Sequence, residues 1–143
     1  SGQRVLVLDY EASPEGASVV DLLSSQGKQV TWVTPAFGVA MNVDPTISLP
    51  LFQRLGKMQV HAEAMQVPIR FENGTVTLLN PYLGTTSNVE GIDAIVVTGA
   101  KQARQELFGQ LQGRVPRIDV IGDAASPRTT GAALLDATDL ILS

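Results

Sequence analysis

Arg4-Val-Leu-Val-Leu-Asp9, then Tyr10-Glu-Ala-Ser-Pro-Glu-Gly16, and further on Gln29-Val-Thr-Trp-Val-Thr34, decide the fold of this chain. Val5 to Leu8 form a continuous apolar run, the pattern of a parallel strand buried on both faces. Ser13-Pro14-Glu15 opens a helix: the hydroxyl caps, proline suits the first turn, and the carboxylate complements the positive end of the dipole. Gly27 suits the left-handed position that ends it, and Gln29 to Val33 is the next strand. In a dinucleotide site the first turn of such a unit reads G-x-G-x-x-G, so that backbone amides and a helix N-terminus meet the pyrophosphate. Counting back from Gly27, Gly16 takes the third glycine position, Ser13 the second and Glu11 the first, in a turn two residues longer than usual. A carboxylate, that of Glu11, is therefore expected where a phosphate would lie. The second strand ends in Thr34-Pro35, with no acid for a ribose hydroxyl and no arginine for a 2′-phosphate. The spacing keeps the fold and loses the site.

Outward from this unit, Ala17, Val20 and Leu23 recur at helical spacing, widened by Val19 and Leu22. Asp44-Pro45 starts a second helix running to Gly56, with Pro50 placed to kink or delay it. Met58 to His61, Val67 to Phe71 and Thr75 to Leu79 read as short strands, the last two joined by an Asn73-Gly74 hairpin. Asn80 to Glu90 reads as a polar connection. Asp93 to Gly99 reads as a buried strand, Gln102 to Leu111 as a short helix, Asp119 to Asp123 as a last strand and Thr129 to Leu142 as a last helix.

Composition narrows the function classes. Apolar residues make up 44% of 143 and charged residues 17%, which suits a buried sheet and rules against a disordered segment. The net charge of −4 comes with no basic stripe, so nucleic acid is not an expected partner. Zero cysteines exclude disulfides, thiolate metal sites and an iron–sulfur cluster within the chain, and one histidine, His61, makes a metal site unexpected. No apolar run approaches the roughly 18 residues of a membrane span, and no signal peptide is read, so the expected location is the cytoplasm.

Two strand-end turns supply the candidate binding residues. In Val120-Ile-Gly-Asp123 the acid follows an expected strand, where open α/β sheets place their ligands. Gly122 permits close backbone approach, and Asp123 either accepts sugar or ribityl hydroxyls or caps the last helix. Thr98-Gly99 is a similar turn, or simply a tight strand exit. Arg128 stands where it could meet a phosphate, an acid or solvent. Asp9 and Glu11 are two apart and could act as acid and base, or bind loop amides. Trp32 reads as core, and no catalytic residue is assigned.

Taken in order, Val5-Leu-Val-Leu-Asp9, Val30-Thr-Trp-Val-Thr-Pro35, Asp93 to Gly99 and above all Ile121-Gly-Asp-Ala-Ala-Ser-Pro-Arg128 with Ala132-Ala133 resemble one group. They look like the C-terminal region of multidomain old-yellow-enzyme-like flavoproteins: trimethylamine and histamine dehydrogenases, 2,4-dienoyl-CoA reductase and related N-demethylases. The resemblance implies an α/β fold of the disulfide-reductase NAD(P)H-lobe type, a Rossmann-like three-layer parallel sheet with a small antiparallel hairpin layer. It implies that residues 3–98 are a degenerate NAD(P)H-type lobe and residues 99–143 the returning segment of a split FAD- or ADP-type lobe. It further implies an oxidoreductase parent, an NADH:flavin oxidoreductase or amine dehydrogenase, whose N-terminal barrel holds FMN and a 4Fe-4S cluster, with ADP or FAD bound in the parent lobe. Gly122, Asp123, Arg128, Thr98 and Gly99, the candidates of the strand-end turns and the last helix start, are the expected cofactor-binding positions. This chain itself is expected to bind no cofactor firmly and to be non-catalytic alone, its partners being the barrel, the other half-lobe and, through the apolar last helix, a second copy in a homodimer. A free-standing small-molecule or nucleotide-binding module is the competing reading.

Overall fold

The computed structural model describes residues 3–99 and 101–142, which fall into two compact units, Ser1–Ala100 and Lys101–Ser143. In the first unit, β1 (Arg4–Asp9), β2 (Gln29–Val33), β3 (His61–Glu63) and β7 (Ala94–Thr98) form a parallel sheet in the order β3-β2-β1-β7. Helices α1 (Pro14–Ser25) and α2 (Pro45–Lys57) cover one face. A three-stranded antiparallel sheet, β4 (Val67–Glu72), β5 (Thr75–Asn80) and β6 (Thr85–Val89), covers the other. This is the expected three-layer α/β class.

Period two sorts the side chains of β1 between the layers. Val5 and Val7 join Val30, Trp32, Ala17, Val20, Leu51 and Leu55 under the helices, while Leu6 and Leu8 meet Val33, Val76, Leu78 and Ile92 under the small sheet. The caps are those that the residues dictate. Ser13 Oγ accepts from Gly16 N at 3.3 Å, Gly27 follows the helix at φ 76°, and Asp44 Oδ1 accepts from Thr46 N at 2.8 Å. Asn73 and Gly74, at φ 49° and 74°, make the primed turn that joins β4 to β5. Pro50 lies inside α2 without delaying its start.

Several expectations are corrected. Met58 to Val60 form the end of α2 and a turn, with Gln59 at φ 56°, so β3 begins only at His61. The segment read as a polar connection contains β6, an edge strand whose Thr85-Thr-Ser-Asn shows no apolar alternation because it buries almost nothing. The strand expected to be buried, β7, is an edge strand with Ile95 and Val97 exposed. Asp93, just before it, accepts from Gln3 N at 2.7 Å and Arg4 N at 3.0 Å.

The amides of Arg4 and then Gln3 hold the Asp93 carboxyl below the usual carboxylate range. The stabilisation is therefore complete above that ordinary range and is lost as pH falls through the lowered value. Asp93→Asn is expected to flatten the acid limb of unfolding midpoint against pH; an unchanged limb would remove this carboxylate from the acid response.

The second unit holds α3 (Glu106–Leu111), a 3-10 turn at Gly122–Ala124 and α4 (Thr130–Leu142). The helix expected from Gln102 starts only at Glu106. Residues 119–121 form no strand among the described residues: the β-branched Val120-Ile121 pair has no neighbouring strand to bond, and Gly122 turns the chain at φ 59°. The apolar face of α4 is not covered by the rest of the chain: Leu134, Leu135, Ile141 and Leu142 are all exposed.

Candidate functional site

Ligands of open parallel sheets bind beyond the carboxyl ends of the strands, here the turn between β1 and α1 and the exit of β7. Asp9 ends β1 and is fully buried. Its carboxylate accepts from Glu11 N at 3.3 Å, from Ser13 N at 3.2–3.3 Å and from Trp32 Nε1 at 3.4 Å. It also packs against Gly16, so closely that a Cβ there would overlap Asp9 Oδ2. The negative charge is met by these donors and by the N-terminal end of α1. The turn is fixed further by Asn42, whose Nδ2 donates to Glu11 O at 2.7 Å and whose N donates to Ala12 O at 3.0 Å. Ala12 takes a left-handed φ of 47° while almost wholly buried.

A carboxylate does occupy the amides of this turn, and it is Asp9's. Glu11, which sequence offsets place there, is exposed, its side chain lying instead beside Gly99. The two extra residues of the turn swing position 11 outward. Asp9 is thus a buried ligand for amides and not a free acid or base, and it forms no couple with Glu11. The signal that could have identified it is the acid at the last position of a buried strand, facing a glycine in the first turn of the following helix.

Thr98 is the register partner of Asp9, its carbonyl accepts from Tyr10 N at 3.2 Å, and its Oγ1 is shielded without a hydrogen-bond partner among the described residues. Gly99, at φ 94°, passes under Tyr10 and Glu11, where a Cβ would meet Glu11 Cγ at 3.1 Å. The glycine is required by this strand exit. His61 is exposed and pairs with Glu63 at 2.8 Å.

In the second unit the structure brings Gly122, Asp123 and Arg128 together with Asp136, which the sequence reading missed. Asp136 Oδ2 accepts from Gly122 N at 3.0 Å and pairs with the Arg128 guanidinium. Arg128 first, then the Gly122 amide, hold the Asp136 carboxyl below its usual range. Arg128 is thus paired with an acid in its own unit. Asp123 is exposed, and its Oδ1 accepts from Arg128 N at 3.3 Å, closing the 123–128 loop; Thr129 Oγ1, not Asp123, accepts from Ala132 N in α4. With no strand before it, Asp123 does not stand at a strand end. It lines a cleft of about 300 Å³ with Lys101, Gln102, Arg104, Ala124 and Pro127. Among the described residues no group of three or more His, Cys, Asp or Glu could hold a metal ion, and no helix is long and apolar enough to cross a membrane.

No family model matches the sequence. A metal reductase of Desulforamulus reducens is 24% identical over 107 residues, which are 75% of this chain and 16% of that protein. Histamine dehydrogenase from Rhizobium sp. 4-9 superposes with a TM-score of 0.86 at 23% identity, over 98% of this chain and 23% of that one. For 6-hydroxypseudooxynicotine amine oxidase from Pseudomonas geniculata N1 the TM-score is 0.81 at 19% identity, over 96% and 22%. Bacillithiol disulfide reductase from Staphylococcus aureus gives 0.57 at 14%, over 68% and 29%. The chain therefore shares its fold with the three solved structures, and it spans a quarter or less of the metal reductase, the histamine dehydrogenase and the amine oxidase.

Proposed function

We propose that this chain is a C-terminal accessory region of a longer FMN-dependent oxidoreductase of the amine dehydrogenase kind, with turnover located outside it. The observation that carries this reading is the extent of the likeness. Histamine dehydrogenase is matched over 98% of the chain, through both units, whereas the disulfide reductase is matched over 68%. On this reading residues 3–98 are the degenerate NAD(P)H-type lobe and residues 99–143 the returning segment of the FAD- or ADP-type lobe.

The residues present do not fit the groups such a parent would carry. A 4Fe-4S cluster needs thiolates, and there is no cysteine. A pyrophosphate needs the amides at the β1–α1 turn, and Asp9 holds those of Glu11 and Ser13. A phosphate brought there meets a buried negative charge in place of donors. No catalytic step is assigned to the chain.

The purified 143-residue protein is expected to bind neither NADH nor NADPH more tightly than about 1 mM, a binding free energy near −4 kcal/mol. With FMN, FAD and NAD(P)H added it should leave dye acceptors unreduced above background. Sub-millimolar titration of either nicotinamide, or dye reduction abolished by Asp9→Asn, would overturn the accessory reading. Isolation of the native protein tests the parent directly: it should be several times longer than this chain and carry a flavin.

A further inference from the structure

We propose that the free edge of β7 is a self-pairing surface, at which two copies of this chain join β7 to β7, antiparallel about Val96. The inference rests on how the four edges of the first unit differ. An exposed strand edge is a template for pairing, and stable chains blunt theirs with charge, proline, bulges or brevity. β3 has three residues and carries the His61–Glu63 pair. β4 carries Pro68, a register shift between Pro68 and Arg70, and the Arg70–Glu72 pair at 3.0 Å. β6 is polar along Thr85-Thr-Ser-Asn88. β7, Ala94-Ile-Val-Val-Thr98, has none of these devices: it is uncharged, free of proline and in unbroken register with β1.

Its side chains are as open as its edge. By register Ile95 and Val97 share a sheet face with Leu6 and Leu8, yet they are 36% and 58% exposed where Leu6 and Leu8 are buried. Asp93, just before the strand, is bonded to the amides of Gln3 and Arg4, and Glu11 lies against Gly99 just after it. Self-pairing about Val96 sets Ile95 of one copy against Val97 of the other, twice, and Ala94 against Thr98, with no charged residue among the paired positions. One patch serves both copies, so the contact closes at a dimer and extends no further. The result is an eight-stranded sheet across a two-fold axis. This surface is independent of the accessory reading.

Sedimentation of the full chain from micromolar to millimolar concentration tests it. A monomer–dimer equilibrium without larger species is expected. Val97→Lys, at an exposed position that leaves the fold intact, is expected to weaken it by about tenfold or more, since two apolar cross-strand pairs are lost per dimer. Leu134→Glu/Leu135→Glu on α4 should leave it unchanged. The chain has no cysteine, so Ile95→Cys/Val97→Cys should give an oxidised covalent dimer, as facing Cα atoms of antiparallel strands lie within disulfide range. A monomer at all concentrations, a dimer indifferent to Val97→Lys, or one abolished by the α4 variant would each overturn the proposal.

Discussion

Gly16→Ala is expected to destabilise the first unit by about 3 kcal/mol, where an ordinary helical glycine-to-alanine exchange is favourable. The added methyl would overlap Asp9 Oδ2. Asp9 cannot turn aside, because it is fully buried and its oxygens hold the amides of Glu11 and Ser13 and the Trp32 indole. Either those bonds break, or α1 lifts from β1 and opens the packing of Ala17 and Val20. Gly56→Ala is the matched control: it lies in α2 with nothing within 4 Å of the new methyl, and should be neutral or stabilising by up to about 1 kcal/mol. Asp9→Ala alone should cost about 2–4 kcal/mol, for amides left unpaired in a buried place. Combined with Gly16→Ala it should cost clearly less than the sum of the two, because the clash has gone. Urea unfolding followed by the fluorescence of the single tryptophan, Trp32, reads this unit directly. If Gly16→Ala falls within about 0.5 kcal/mol of the parent chain, Asp9 does not sit against α1 as described.

The legible parts of this fold are those whose cause is local. Ser13, Pro14 and Gly27 bound α1, Asp44-Pro45 starts α2, and Asn73-Gly74 makes its turn, because capping and left-handed φ are properties of a few adjacent residues. The apolar run of β1 is legible because both its faces are buried. What the sequence hides is whatever depends on a distant neighbour. β6 is recruited by β5 and needs no apolar pattern of its own. Val120-Ile121 has strand-forming residues and nothing to pair with among the described residues. The open face of α4 looks like core in the sequence, since leucine spacing records a tendency to be covered and not what does the covering.

The candidate site shows the same division more sharply. The absence of a glycine fingerprint at the β1–α1 turn is legible from Glu11 and Ser13, and the bare end of β2 from Thr34-Pro35. The identity of the occupying carboxylate is not, because counting positions fixes an offset along the chain and not a distance across it. Gly16 keeps its place against β1 as a third glycine should, and what it accommodates there is the Asp9 side chain. Arg128 likewise reads as a free cation until Asp136, eight residues on and nearly two turns into α4, is seen to hold it.

Trp32→Ala is expected to cost about 3–5 kcal/mol, the largest single loss in the core, and Trp32→Phe only about 1–2. The two differ in what they remove. Trp32 is the largest fully buried side chain, standing under the helices with its ring 6.5 Å from that of Phe52. Alanine leaves a cavity between β2 and the helices that a close-packed layer fills only in part. Phenylalanine keeps most of the volume and removes the indole N–H, whose bond to Asp9 Oδ2 at 3.4 Å is long, so its loss is modest while the two amides remain. If the indole instead supplied the main compensation for the buried charge, Trp32→Phe would approach the alanine value. The pair of variants therefore divides packing from electrostatics. Both remove the intrinsic fluorophore, so circular dichroism against urea is the measurement. Near-equal midpoints for the two would show that the buried carboxylate depends on Trp32 more than on the backbone of its own turn.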